Sequence, residues 1–100
     1  MNGVEQMMIP RRKRVKLTGR ALVKLIERIY KRENHCCAIC GKWVPWGIKP
    51  HHFPQGADKS DEYDHMVLLC YECHQKAHAT DVKLMKERIK NYLEPFIGMK

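Results

Sequence analysis

One hundred residues, with 19 Lys and Arg against 11 Asp and Glu, carry a formal charge of +8 and a pI near 9.4. That length suits one domain with a modest core, burying only roughly 65% of its unfolded surface, so a staple would help it. The hydrophobic fraction of 44% argues against wholesale disorder, and the longest apolar run, Met66 to Tyr71, falls far short of a bilayer span. Met7, Met8 and Ile9 are too few for a secretory h-region, so the expectation is a soluble, cytoplasmic protein. Its charge asks for a polyanionic partner, nucleic acid before membrane.

In chain order, residues 1–17 hold Pro10 and the run Arg11, Arg12, Lys13, Arg14, Lys16, and read as a basic, flexible arm. Thr18 is placed to cap a helix over about 18–32, with Leu22, Leu25, Ile26 and Ile29 as its apolar stripe. The other faces carry Arg20, Lys24, Arg28, Lys31 and Arg32, so ten of the 19 basic residues fall between Arg11 and Arg32. A turn-prone stretch with Pro45, Gly47 and Pro50 follows, and Trp43 and Trp46 are expected to cover the small core, with base-stacking platforms as the weaker reading. His51, His52 and Phe53 look like the end of a short strand stopped by Pro54. A polar loop leads to Asp64, read as a surface carboxylate, and Met66 to Leu69 is a short apolar strand. Gln75 to Ala79 is expected to be helical. A last helix from about 81 to 93 turns Val82, Met85 and Ile89 to one side, with Pro95 and Gly98 beyond it.

Four of the five cysteines form the pairs Cys37-x-x-Cys40 and Cys70-x-x-Cys73. Two such knuckles supply the four thiolates of a tetrahedral zinc site, and in a reducing compartment metal is the more usual use of paired thiols. Cys36 is left over, and Cys36-x-x-x-Cys40 is the less usual alternative knuckle. A disulfide framework and a mixed finger using His78 are weaker readings still. Five of the six histidines lie between positions 51 and 78. His51 and His52 are adjacent, while His74 and His78 stand four apart, on one face of a helix. Four thiolates already close a zinc shell, so the imidazoles point to a second, open metal site. His35 reads as an ordinary surface histidine.

The segment from Cys37 to His78 resembles an HNH endonuclease of the zinc-ribbed kind found in bacteria and their phages. Pro50-His51-His52-Phe53 matches the opening of the family's ββα-metal motif, and the run from His65 to His74 matches its second strand and helix. The resemblance implies a small α+β fold: a ββα-metal (HNH, His-Me finger) core over 36–79, stapled by the four-cysteine zinc site and flanked by N- and C-terminal helices within one domain, 18–100. It implies His52 as general base and His51, His74 and His78 as ligands of one catalytic divalent metal. The family usually has Asn where this chain has His65, so His65 is expected to keep that residue's orienting role. Imidazole ligands favour zinc, nickel, cobalt or manganese over magnesium.

The expected activity is therefore metal-dependent hydrolysis of DNA phosphodiester bonds, with double-stranded DNA as partner. Phosphate contacts are expected from Arg11, Arg12, Arg14, Arg20, Lys24, Arg28, Lys59 and Lys76. No base-reading element is evident, so any specificity is expected to be weak or supplied by a protein partner. The alternative is a non-catalytic zinc module that binds nucleic acid, which leaves the paired histidines unexplained.

Overall fold

A computed structural model of the chain describes residues 14–54, 56 and 59–99. The expected contacts of Arg11 and Arg12, and most of the basic arm, lie outside the described residues. Val15 and Leu17, counted with that arm, are bonded to the loop before the second strand. The Val15 N–H donates to Ser60 Oγ at 2.7 Å, the Leu17 N–H donates to Asp61 Oδ2 at 2.8 Å, and the Asp61 N–H returns a bond to the Val15 carbonyl at 2.8 Å.

Helix α1, Gly19–Arg32, starts after Thr18 as read from the sequence, although the Thr18 side chain makes no cap bond. It buries Leu25, Ile29 and Tyr30, with Leu22 and Ile26 half-buried. Glu33 closes the helix. Asn34 and His35 then adopt left-handed φ of 62° and 60°, and the His35 N–H reaches back to the Tyr30 carbonyl at 2.8 Å. This turn aims the chain into the first cysteine knuckle. There the Cys37 N–H bonds the Lys42 carbonyl at 2.7 Å and the Gly41 N–H bonds the Cys37 carbonyl at 2.9 Å. Gly41 has φ of 81°, a conformation glycine adopts without strain.

Strands β1, His51–His52, and β2, Met66–Val67, form a two-stranded antiparallel sheet with His51 opposite Val67 and His52 opposite Met66. One further bond, from the Phe53 N–H to the His65 carbonyl at 2.9 Å, extends the pairing. β2 is shorter than the expected 66–69 because Leu68 has other partners. Its N–H goes to the Glu33 carboxylate at 3.1 Å and its carbonyl accepts from the Ala38 N–H at 2.9 Å. Residues 66–70 are all buried nonetheless.

Helix α2, Tyr71–Gln75, begins four residues earlier than the sequence suggested, with Cys70 as its N-cap. The Cys70 Sγ accepts from the Cys73 N–H at 3.5 Å, so a cysteine performs the capping that Ser or Asp usually supplies. The chain widens into a π-helical segment, Lys76–Thr80, before helix α3, Val82–Leu93, and a 3-10 turn, Glu94–Phe96. α3 buries Met85, Ile89 and Leu93, whereas Val82, assigned to that stripe, is 48% exposed. The stripe therefore runs i, i+4, i+8 from Met85.

Among the described residues, these elements make a small α+β fold of one two-stranded sheet and three helices. Its core contains Ile29, Val44, Met66, Val67, Leu68, Met85 and Ile89. A polar clamp ties it together. The side chain of Arg32, expected on the basic outer face, is only 4% exposed. It donates to both Glu33 carboxylate oxygens, to the Met66 carbonyl at 2.6 Å and to the Tyr63 carbonyl. Glu33 also accepts from the Tyr92 hydroxyl at 2.9 Å, linking α1 to β2 and α3. Breaking such a buried pair by removing one partner typically costs about 3–5 kcal/mol. No helix among the described residues is long and apolar enough to cross a membrane.

Candidate metal centres

The first centre is built from sulfur. Cys37 and Cys40 come from the knuckle behind α1, and Cys70 and Cys73 from the cap and first turn of α2. One ligand atom from each lies within 4.8 Å of the others, and Cys40 Sγ and Cys70 Sγ are 3.6 Å apart. Cys37, Cys70 and Cys73 are buried and Cys40 is exposed. Such a set can hold a structural metal such as zinc. Cys36 stays outside it, half-buried, its backbone bridging Trp43, and His78 belongs to a different group, so neither alternative knuckle set is formed. Burial acts to raise the Cys37 thiol, but the Cys40, Cys70 and Ile39 N–H groups outweigh it and bring it down to about 7. Burial pushes Cys73 up, and the neighbouring Cys37 adds to that rise. The Cys37 thiolate thus forms readily, and a bound cation would favour the thiolate at Cys73.

The second centre is built from imidazole. His51 on β1, His74 on α2 and His78 on the π-helical segment bring ligand nitrogens within 4.8 Å of one another. Their ring centroids are 5.1 Å apart for His51–His74, 5.0 Å for His51–His78 and 4.7 Å for His74–His78. Exposure is graded: His51 is buried, His74 half-buried and His78 exposed. Burial, then the neighbouring His74 and His78, pull His51 down to about 4, and burial followed by His78 lowers His74. His51 is therefore neutral at pH 7 and offers a lone pair without first losing a proton. Three convergent imidazoles suit a borderline transition metal and leave coordination positions for water or substrate.

His52 is not part of that group. Both His51 and His52 pair regularly with β2, so their side chains lie on opposite sides. His51 lines a cavity of about 320 Å³ with Phe53, Ala77 and Ile89. His52 lines one of about 290 Å³ with Arg14, Lys16, Lys49, Lys59 and Asp61. The His52 Nε2 lies 2.7 Å from Asp61 Oδ1, and both side chains are nearly buried. Although burial acts to raise Asp61, bonds from His52 and the Leu17 N–H hold it below the ordinary carboxylate range. Asp61 is thus an acceptor, and His52 Nε2 donates.

The His65 ring pairs with Asp64 Oδ1 at 2.6 Å, while Asp64 Oδ2 accepts from the Gly98 N–H at 3.0 Å. Asp64 is therefore an inward anchor for the C-terminal turn, with a side chain 9% exposed, and not the expected surface carboxylate. What His65 gives to the hairpin is its main-chain carbonyl. Arg14, Arg20, Lys24, Arg28, Lys59 and Lys76 are all exposed, and the Arg28 guanidinium sits 4.5 Å over the Tyr63 ring. The tryptophans do not cover the core: Trp43 is 62% and Trp46 53% exposed.

Sequence reading missed Asp61 as the partner of His52. The only hint was a carboxylate in a polar loop, and the loop's return onto β1 is a tertiary event. Compared with protein-family models, curated proteins and solved structures, the chain has no match in any of the three.

Proposed function

We propose that this chain is a metal-dependent endonuclease of the HNH kind that hydrolyses DNA phosphodiester bonds. The observation that carries the reading is the convergence of His51, His74 and His78, from a strand and the helical segment after it, on a centre separate from the cysteines. The charge of +8 supports an anionic polymer as substrate, since phosphate neutralisation by Lys and Arg dominates such binding.

His51, His74 and His78 would hold the divalent cation, which when bound supplies Lewis acidity to a phosphoryl oxygen and charge neutralisation at the leaving oxygen. His52, across the two-residue strand from that centre, would accept the proton of the attacking water, with the phosphate reaching both faces past the strand's end. With its Nε2 proton on Asp61, the neutral ring carries its basic lone pair at Nδ1, and the carboxylate stabilises the imidazolium formed on proton uptake. Asp61 thereby takes over the orienting task that the resemblance implied for His65. The cations around His52, Arg14, Lys16, Lys49 and Lys59, would hold the flanking phosphates. The four-cysteine site keeps β2 and α2 in register, so that the imidazole centre survives.

A supercoiled-plasmid assay with added manganese, cobalt, nickel, zinc or magnesium tests this. Nicking is expected with the transition metals, with magnesium the poorest activator, and loss is expected for His74→Ala and His52→Gln. DNA binding without cleavage under every metal would leave the zinc-module alternative standing. Full activity in His52→Gln would remove His52 as the base.

A further inference from the structure

Beside α1, in a groove that His35 lines but the metal-site histidines do not, an aromatic side chain is held in the open. Trp46 sits on the turn after the first knuckle, 53% exposed, with its ring 4.8 Å from that of Tyr30. Tyr30 is buried, and its hydroxyl accepts from the Ile48 N–H at 3.0 Å and lies 2.8 Å from both the Pro45 and the Ile48 carbonyl oxygens. One hydroxyl thus ties both ends of the turn to the helix, and Trp46 is backed by a fixed ring. A preorganised aromatic loses little freedom when a planar ligand settles on it. The groove beside it has a volume of about 640 Å³, within the usual range of small-ligand sites.

The rim of that groove is basic. Lys24, Arg28 and Lys31 line it at i, i+4 and i+7 of α1, against the single carboxylate of Glu27. A flat aromatic next to a stripe of cations matches a base with phosphates on either side of it. In a duplex each base face is covered by its neighbour, so only an unpaired base can lie on Trp46. We infer that this groove is a stacking site for an unpaired base of single-stranded nucleic acid, with Trp46 as the platform and Lys24, Arg28 and Lys31 taking the adjacent phosphates. The inference shares a polyanionic partner with the proposed nuclease function but uses none of its histidines.

The chain has two tryptophans, so in a Trp43→Phe protein the emission of Trp46 is read alone. That protein is titrated with an oligothymidylate and, separately, with a blunt duplex of equal length, with no divalent metal added, so that cleavage plays no part. The expected result is strong quenching by the single strand and little by the duplex. Trp46→Ala should weaken single-strand binding about tenfold, within the range measured for a stacked base, and leave duplex binding within about twofold. Trp46→Phe should keep most of the affinity, which separates stacking from a folding defect. The double change Lys24→Ala with Lys31→Ala should lower the salt slope of single-strand binding by about 1.4. Equal quenching by duplex, no quenching, or unchanged affinity in Trp46→Ala would overturn the inference. Quenching in a protein that cleaves nothing leaves it standing while the nuclease reading falls, and cleavage without quenching does the reverse.

Discussion

The two candidate metal centres use neighbouring residues of the same short helix, yet they are built differently. Cys73 and His74 are adjacent, and a helical step of about 100° sends one into the thiol group and the other into the imidazole group. Three of the four thiols are buried, and the set is complete as a tetrahedron, whereas the imidazoles run from buried His51 to exposed His78 and are one ligand short of it. A closed set can bind a cation and do nothing further with it. An incomplete set at the surface can share its cation with a substrate. On the proposed function, the contrast gives stability to sulfur and chemistry to nitrogen.

The sharpest way to break that contrast is to remove one ligand from each side. Cys73→Ala is expected to abolish the folded state at 25 °C by circular dichroism, since structural zinc contributes on the order of 10–16 kcal/mol to small domains of this kind. His74→Ala should lower plasmid nicking at least about 100-fold while the dichroism spectrum and melting transition stay close to wild type. A folded Cys73→Ala protein, or an unfolded His74→Ala one, would reverse the assignment.

Acid provides a third probe. Folding depresses His51 from an ordinary value of 6.5 to about 4, because the ring is buried and lies beside His74 and His78. Between those values the unfolded chain binds more protons, so the contribution is full above about pH 6.5 and is lost as pH falls toward 4. At roughly 1.4 kcal/mol per unit this is worth about 3 kcal/mol. Urea denaturation of His51→Gln against wild type, both holding the four-cysteine zinc but no ion at the imidazole centre, should show the pH slope of wild type to be steeper across that window. Equal slopes would mean that the ring is solvated and the centre is not formed without metal.

The smallest expected effect lies at Asp61. Asp61→Asn keeps an acceptor for the Leu17 N–H but removes the charge facing His52. Stability should fall by about 1 kcal/mol, the scale of one altered hydrogen bond, and nicking about tenfold. A loss of stability without loss of activity would make the pair structural only.

Much of the site was legible in the sequence because its ligands come in local pairs. The two Cys-x-x-Cys knuckles and His74-x-x-x-His78 each fix two donors within one turn of chain, and the structure brings each pair together. The basic helix was legible too, through its apolar period and its charges. Where the reading missed, a long-range contact decided. Arg32 looked like one more surface cation until Glu33, Met66 and Tyr63 enclosed it. Asp64 looked solvated until Gly98 and His65 met it. Trp46 looked like a core cover, but the Tyr30 hydroxyl pins its turn outward.

The sequence by itself determined which atoms are able to bind metal, because ligand chemistry and knuckle spacing are properties of a few neighbouring residues. Only the tertiary structure decided that His51 joins His74 and His78 while His52 joins Asp61. Strand pairing turns adjacent side chains to opposite faces, and what waits on each face is contributed by distant segments of chain.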